Sequence, residues 1–137
     1  MNRDMIKRKQ KKNRSGIATV ELAICLPLIL LVTFGGIEGA SMIFTKQALV
    51  ASAYEGIKVA VTDNATEDDV LAATQAVLDG RLLEGATVEI LPSNFSDVDA
   101  GTPILVRISA PGDANSVFPI GPFQGRNLSV QAVMVKE

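Results

Sequence analysis

The sequence predicts an α+β fold in which a long N-terminal transmembrane helix extends into a small extracytoplasmic domain with one further helix and a three-stranded antiparallel sheet. Three observations predict this fold. A basic segment precedes a long apolar run, helical patterns follow that run, and three segments with alternating apolar and polar residues come last. The length of 137 residues suits one small domain and one anchor.

The basic segment comes first and sets the predicted topology. Residues 1–16 hold seven basic residues and one acid, a net charge of +6, whereas the remainder holds six basic and fourteen acidic residues, a net charge of −8. Lys and Arg beside a span stay in the cytoplasm. We therefore expect a cytoplasmic leader over 1–16, a transmembrane helix over 17–44 and an extracytoplasmic domain over 45–137. The leader lacks interleaved aromatic residues, so the alternative of a nucleic-acid-binding segment is not favoured.

The apolar run is long enough to cross a bilayer. As a helix, Ile17 to Glu38 covers about 32 Å at about 1.5 Å per residue, close to the hydrocarbon thickness of about 30 Å. Pro27 favours a kink within it. Glu38 is expected at the outer interface, where its carboxylate can reach water. Glu21 lies about one turn inside the inner boundary, and an ionisable group there indicates a function. We assign Glu21 to subunit assembly.

Small residues predict a packing surface near the end of the run. Gly35 and Gly39 form a GxxxG pair, which lets helix backbones approach closely. General tolerance of glycine in membrane helices is the alternative. Cys25, the one cysteine, is expected to act as a small apolar residue.

A secretory signal peptide is a further possibility for the N-terminus. The basic segment fits, but the apolar run exceeds the usual length of about 7–15 residues and no clear A-x-A cleavage site follows it. A glycine precedes the run instead. Cleavage there, on the cytoplasmic side, would leave the helix attached to the mature protein.

The N-terminal motif resembles that of type IV prepilins, and the chain as a whole resembles the TadE-like family of tight-adherence (Flp) pilus systems. The resemblance is strongest over residues 14–60. Ile57 and Lys58 depart from an Ala-Arg pattern that is common in the family. The matching segments are Gly16–Ala23, Leu26–Leu28, Phe34–Gly39, Gln47–Leu49, Ser52–Ala60, Gly101–Ile108 and Ala132–Glu137.

The resemblance implies a minor pseudopilin that takes part in pilus assembly for surface adhesion. It implies cleavage between Gly16 and Ile17 by a prepilin peptidase, and partners that include the bacterial inner membrane and other pilin-like subunits. Cleavage would create an amine on Ile17, about one turn from Glu21, and the amine of one subunit could neutralise the carboxylate of its neighbour. Such an ion pair would fix the register between neighbouring subunits more than it would raise their affinity for each other.

Beyond the span, helical patterns predict a domain core. Two rows at i, i+4 spacing are expected to pack against the chain's own domain, although a neighbouring subunit could use the same rows. Asp63–Ala65 should end the helix, and Thr66 should cap the next one. The first row is Ala48, Ser52, Gly56 and Ala60, the second is Leu49, Ala53, Ile57 and Val61, and the core face of the next helix is Val70, Ala73, Val77 and Leu78.

Alternating segments predict three strands, at Thr87–Leu91, Pro103–Ala110 and Leu128–Val135. Between the last two lies an apolar loop over Val117–Phe123. It is either a lid over the sheet or an exposed contact for another pilus component.

No catalytic constellation is visible. The chain has no histidine, no phosphate-binding glycine motif and no metal-ligand cluster, so we expect no enzyme, cofactor, metal or small-molecule substrate. Two alternatives stay open: a pseudopilin of a related secretion apparatus, and a secreted soluble binding protein with a long signal peptide.

Overall fold

The computed structural model describes residues 15–118 and 125–136. Two helices and three strands follow each other along the chain, with short 3₁₀ turns at Phe95–Asp97 and Asp113–Asn115. The predicted α+β fold class is confirmed. Most of the leader and residues 119–124, which include most of the apolar loop, lie outside the described residues. The elements are α1 (Ser15–Ala60), α2 (Glu67–Gly80), β1 (Thr87–Leu91), β2 (Pro103–Pro111) and β3 (Asn127–Val135).

The chain divides into two compact units, and the boundary lies between Gly35 and Gly36. In the first unit the structure describes residues 15–35, which we call the anchor segment. All of its side chains from Gly16 onward are exposed, and α1 is long and apolar enough to cross a membrane. An apolar helix with no covering side chains needs another apolar environment, which lipid or neighbouring helices provide.

The second unit, Gly36–Glu137, is the domain, and its core lies between α1, α2 and the sheet. Both predicted rows of α1 are buried inside the chain's own domain, so the intramolecular interpretation is confirmed. The fully buried side chains come from all three layers and include Leu49 and Ile57 of α1, Val70 and Leu78 of α2, and Ile104, Val106 and Ile108 of β2.

Close approach of α1 and α2 depends on small residues. A Cβ added to Gly56 would lie 2.4 Å from Cγ2 of Thr74, and the Ser52 hydroxyl donates to the Thr74 carbonyl at 2.9 Å. The predicted core face of α2 is partly wrong, because Ala73 and Val77 are only half-buried while Thr74 is fully buried. The Thr74 hydroxyl donates to carbonyls of its own helix, so this polar residue is satisfied inside the core.

Both ends of α2 have defined caps. At the N-terminus, Thr66 and Asp69 form the predicted cap as a reciprocal capping box. Hydrogen bonds from the Thr66 hydroxyl and then from its backbone N–H lower the pKa of Asp69. At the C-terminus, the N–H of Leu83 donates to Leu78 O and that of Leu82 to Asp79 O, which is a Schellman motif. Leu82 occupies its left-handed position with φ 55°, where glycine is usual.

The sheet has the order β1-β2-β3, and both strand pairs are antiparallel. All three predicted strands are confirmed; β2 and β3 each extend one residue further than expected. Side chains of β2 alternate strictly, with Ile104, Val106, Ile108 and Ala110 directed into the core. Across the outer face, Arg107 pairs with Glu89 at 2.8 Å.

Candidate functional site

The predicted processing and assembly residues lie on the first turns of α1. Gly16, Ile17 and Glu21 are all exposed on the anchor segment. Within the described part of the chain, the Glu21 carboxylate forms no ion pair. The structure therefore places this acid on an apolar helix surface, where none of the described cations pairs with it.

The glycines of the predicted packing pair have open surroundings. Gly35 closes the first unit and Gly39 lies in the domain, and a Cβ added at either would meet nothing within 4 Å. Gly56 and Gly112 differ, because a Cβ there would come within 3.0 Å of Thr74 or of the Arg126 carbonyl. The contacts of the described chain thus explain the glycines at 56 and 112 but not those at 35 and 39.

Glu38 occupies a different environment from the one expected. Its side chain is 7% exposed, the Ser116 hydroxyl donates to Oε1 at 2.5 Å, and the Phe118 N–H donates to Oε2 at 3.2 Å. The expectation that this carboxylate reaches water is wrong, because the loop after β2 folds over this turn of α1. We call the contact of Glu38 with Ser116 and Phe118 the Glu38 latch.

Neighbouring contacts hold the same loop. The Ser41 hydroxyl donates to the Asn115 carbonyl at 2.9 Å, and a Cβ on Gly112 would lie 3.1 Å from Cε of Met42. The Asn115 side chain also joins this loop to the α2–β1 loop: its amide donates to Glu84 O at 3.0 Å, and its Oδ1 accepts from the Glu84 N–H at 2.9 Å. The loop after β2 is therefore fixed directly to α1 within a few residues of Gly36, and the α2–β1 loop is fixed to it through Asn115.

A second surface lies on the exposed face of α1 inside the domain. A shallow, almost wholly apolar groove there is lined by Ile43, Lys46, Gln47, Val50, Ala51 and Tyr54. Lys58, which pairs with Glu55 at 3.0 Å, stands 5.6 Å from the Tyr54 ring and closes one end of this face. This groove was not predicted from the sequence, because its apolar positions follow the same helical period as the core rows.

The anchor segment and the apolar groove offer surfaces on which another molecule can pack. Among residues 15–118 and 125–136, no group of three or more His, Cys, Asp or Glu side chains could hold a metal ion.

The Glu38 latch was also not predicted from the sequence. One signal could have indicated it, since Glu38 is an acid that ends an uncharged run and stands next to a glycine.

Among the described residues, one helix is long and apolar enough to cross a membrane, and it continues into a small α+β domain, which is the arrangement of a membrane-anchored protein. Residues 16–57 match the family described as TadE-like protein, so the resemblance found in the sequence is confirmed over this range. The match covers nearly all of α1, including Glu21, Gly35, Glu38 and Gly39. It associates the chain with tight-adherence pilus systems. No curated protein and no solved structure matches the chain.

Proposed function

We propose that this chain is a minor pseudopilin that takes part in assembling a tight-adherence pilus used for adhesion. It sits in the bacterial inner membrane with its N-terminus in the cytoplasm and its domain outside. A prepilin peptidase cuts it between Gly16 and Ile17, and other pilin-like subunits are its partners. Its role is non-catalytic and uses no cofactor.

The exposed carboxylate of Glu21 carries this proposal. An acid at the centre of a span costs about 2.5–3.5 kcal/mol on insertion scales, and Glu21, about one turn inside the boundary, bears part of that cost, so a partner that neutralises it favours assembly. Within the described residues no cation pairs with it. Cleavage after Gly16 supplies the missing cation as a new amine on Ile17, about one turn away. In an array of such helices, each carboxylate can accept from the amine of the next subunit.

Two further features support assembly through α1. Gly35 and Gly39 have free space at Cβ, so a partner helix can approach closely there. The apolar groove lined by Val50 and Tyr54, among others, offers a second strip for such a partner on the domain part of the helix. Both features lie in the range that matches the TadE-like family.

The proposal is tested by Glu21→Ala in cells that make these pili, with Glu55→Ala as the matched control. Glu55 is a glutamate on the same helix, but it lies in the domain and pairs with Lys58. Glu21→Ala should insert in the membrane at the wild-type level and lose most surface pili in electron micrographs, whereas Glu55→Ala should keep them. Normal piliation of Glu21→Ala would contradict the assembly role. Intact pili with a lost secretion phenotype would instead assign the chain to a related secretion apparatus.

A further inference from the structure

We propose that the domain rests on the outer surface of the lipid bilayer through a collar formed by Phe44, Arg81, Leu82 and Val117. This inference goes beyond the proposed role in pilus assembly and depends only on membrane anchoring. The four residues line one surface hollow of about 280 Å³, together with Glu84 and neighbouring loop residues. They come from α1, the α2–β1 loop and the loop after β2.

The collar exposes apolar side chains that its own domain does not use. Leu82 is 87% exposed, Val117 is 58% exposed, and Phe44 is also exposed. The position of Leu82 is unusual, since its φ of 55° lies in the left-handed region at a helix end where glycine is preferred. A bulky side chain held in that conformation and directed into solvent contributes no packing to the domain.

Contacts with α1 place the collar near the membrane. As a helix, Ile17 to Glu38 covers the hydrocarbon thickness of about 30 Å, and Phe44 follows about 9 Å further along the axis. Phe44 therefore lies in the outer headgroup region, within reach of the acyl boundary. The loop that carries Val117 is fixed to Glu38 and Ser41, and Asn115 ties it to the loop that carries Leu82. Neither loop can leave the level of this part of α1 without breaking those hydrogen bonds.

The charge at the collar suits a lipid surface. The Arg81 guanidinium lies 6.0 Å from the Phe44 ring and forms no ion pair among the described residues. A cation beside aromatic and aliphatic side chains is the usual combination at membrane interfaces, where the cation meets phosphate and the apolar groups enter the acyl boundary. The rim also carries the acid Glu84, whose backbone is bound to Asn115. Continuity with the span favours lipid over a protein partner at this face.

Tryptophan scanning tests the collar directly, because the chain has no tryptophan of its own. Leu82→Trp and Val117→Trp variants of the full chain are reconstituted in phosphatidylcholine vesicles, with and without bromine on the acyl chains near the headgroup. Val133→Trp is the matched control. Val133 is also a valine, 55% exposed, but it pairs with Leu105 near the far end of β2. Leu31→Trp, in the anchor segment, is the positive control.

The collar variants should show blue-shifted emission, and brominated lipid should quench more than half of it, as for Leu31→Trp. Val133→Trp should emit as in water and resist quenching. Water-like emission from both collar variants, with Leu31→Trp still quenched, would overturn the collar while membrane anchoring stands. Blue-shifted emission that brominated lipid does not quench would also overturn it, because protein rather than lipid would then cover the face.

Discussion

Glu21 and Glu38 are glutamates on one helix, and the structure gives them opposite environments. Glu21 is exposed on the apolar anchor segment, where no described cation pairs with it, whereas Glu38 is buried and accepts hydrogen bonds from Ser116 and Phe118. For Glu38 this is the opposite of the prediction from the sequence, in which its carboxylate reaches water. The difference teaches that the domain satisfies its second acid internally, whereas the first acid finds its partner in another subunit under the proposed function.

Two pairs of glycines show a similar contrast between internal and external contacts. Gly56 and Gly112 have close neighbours within the domain, whereas Gly35 and Gly39 have none. An internal requirement therefore explains Gly56 and Gly112, and an external contact accounts for Gly35 and Gly39 under the proposed function. Substitutions can test this comparison, because those at internal contacts should change the stability of the domain and those at external contacts should not.

The largest effect on domain stability is expected at the Glu38 latch. Glu38→Ala leaves the Ser116 hydroxyl and the Phe118 N–H without their acceptor, which should lower the free energy of unfolding by about 2–3 kcal/mol. Glu38→Gln, which keeps an acceptor oxygen, should lose less. Denaturant unfolding of the full chain in detergent, followed by circular dichroism, measures both. Glu21→Ala should unfold like the wild type, and an equal loss there would remove the contrast between the two acids.

Gly56→Ala should have the next largest effect. The new Cβ would meet Cγ2 of buried Thr74 at 2.4 Å, and overpacking of this kind costs about 1–3 kcal/mol. Gly39→Ala meets no neighbour and is the matched control. We expect the same unfolding measurement to show a loss for Gly56→Ala only. Similar stability of the two variants would mean that α1 and α2 are not as closely packed as described.

Leu82→Gly should stabilise the domain while it removes a collar side chain. Glycine adopts the left-handed conformation without the Cβ clash, so the free energy of unfolding should rise by about 1 kcal/mol. Thermal unfolding in detergent micelles measures this rise. An unchanged or lower stability would show that Leu82 contributes packing to the domain, contrary to its exposure.

The smallest expected effect is a pH dependence from the capping box of α2. Because Thr66 lowers the pKa of Asp69 in the folded chain, the stabilisation is complete above the ordinary pKa of the carboxyl group and is lost as pH falls through the lowered value. Thr66→Ala removes both the cap and the hydroxyl that shifts this pKa. Acid titration of stability should therefore be flatter in Thr66→Ala than in the wild type, and identical profiles would contradict the assignment.

Patterns local in sequence allowed most of the fold to be predicted. Strict alternation located β1, β2 and β3 to within one residue, and the row of Ala48, Ser52 and later small residues identified the buried face of α1. Thr74 was missed because a threonine on a helix is usually counted as polar, whereas here its own helix satisfies the hydroxyl.

The sites were less predictable because their contacts are distant in sequence. In the Glu38 latch, Ser116 lies 78 positions and Phe118 lies 80 positions after Glu38 in the sequence. No periodic pattern in the sequence indicates a contact over such a distance. The collar likewise combines one position of α1 with two loops. The role of Glu21 stays a prediction from the sequence, because under the proposed function its partner belongs to another subunit and lies outside a single chain.

The most direct test is the N-terminus of the membrane-extracted protein, determined by mass spectrometry in cells that build working pili and in the same cells without prepilin peptidase. The account predicts a chain that begins at Ile17 when the peptidase is present, and an intact leader in its absence or in Gly16→Leu. Working pili built from chains that retain residues 1–16 would contradict it, because no amine would then form beside Glu21.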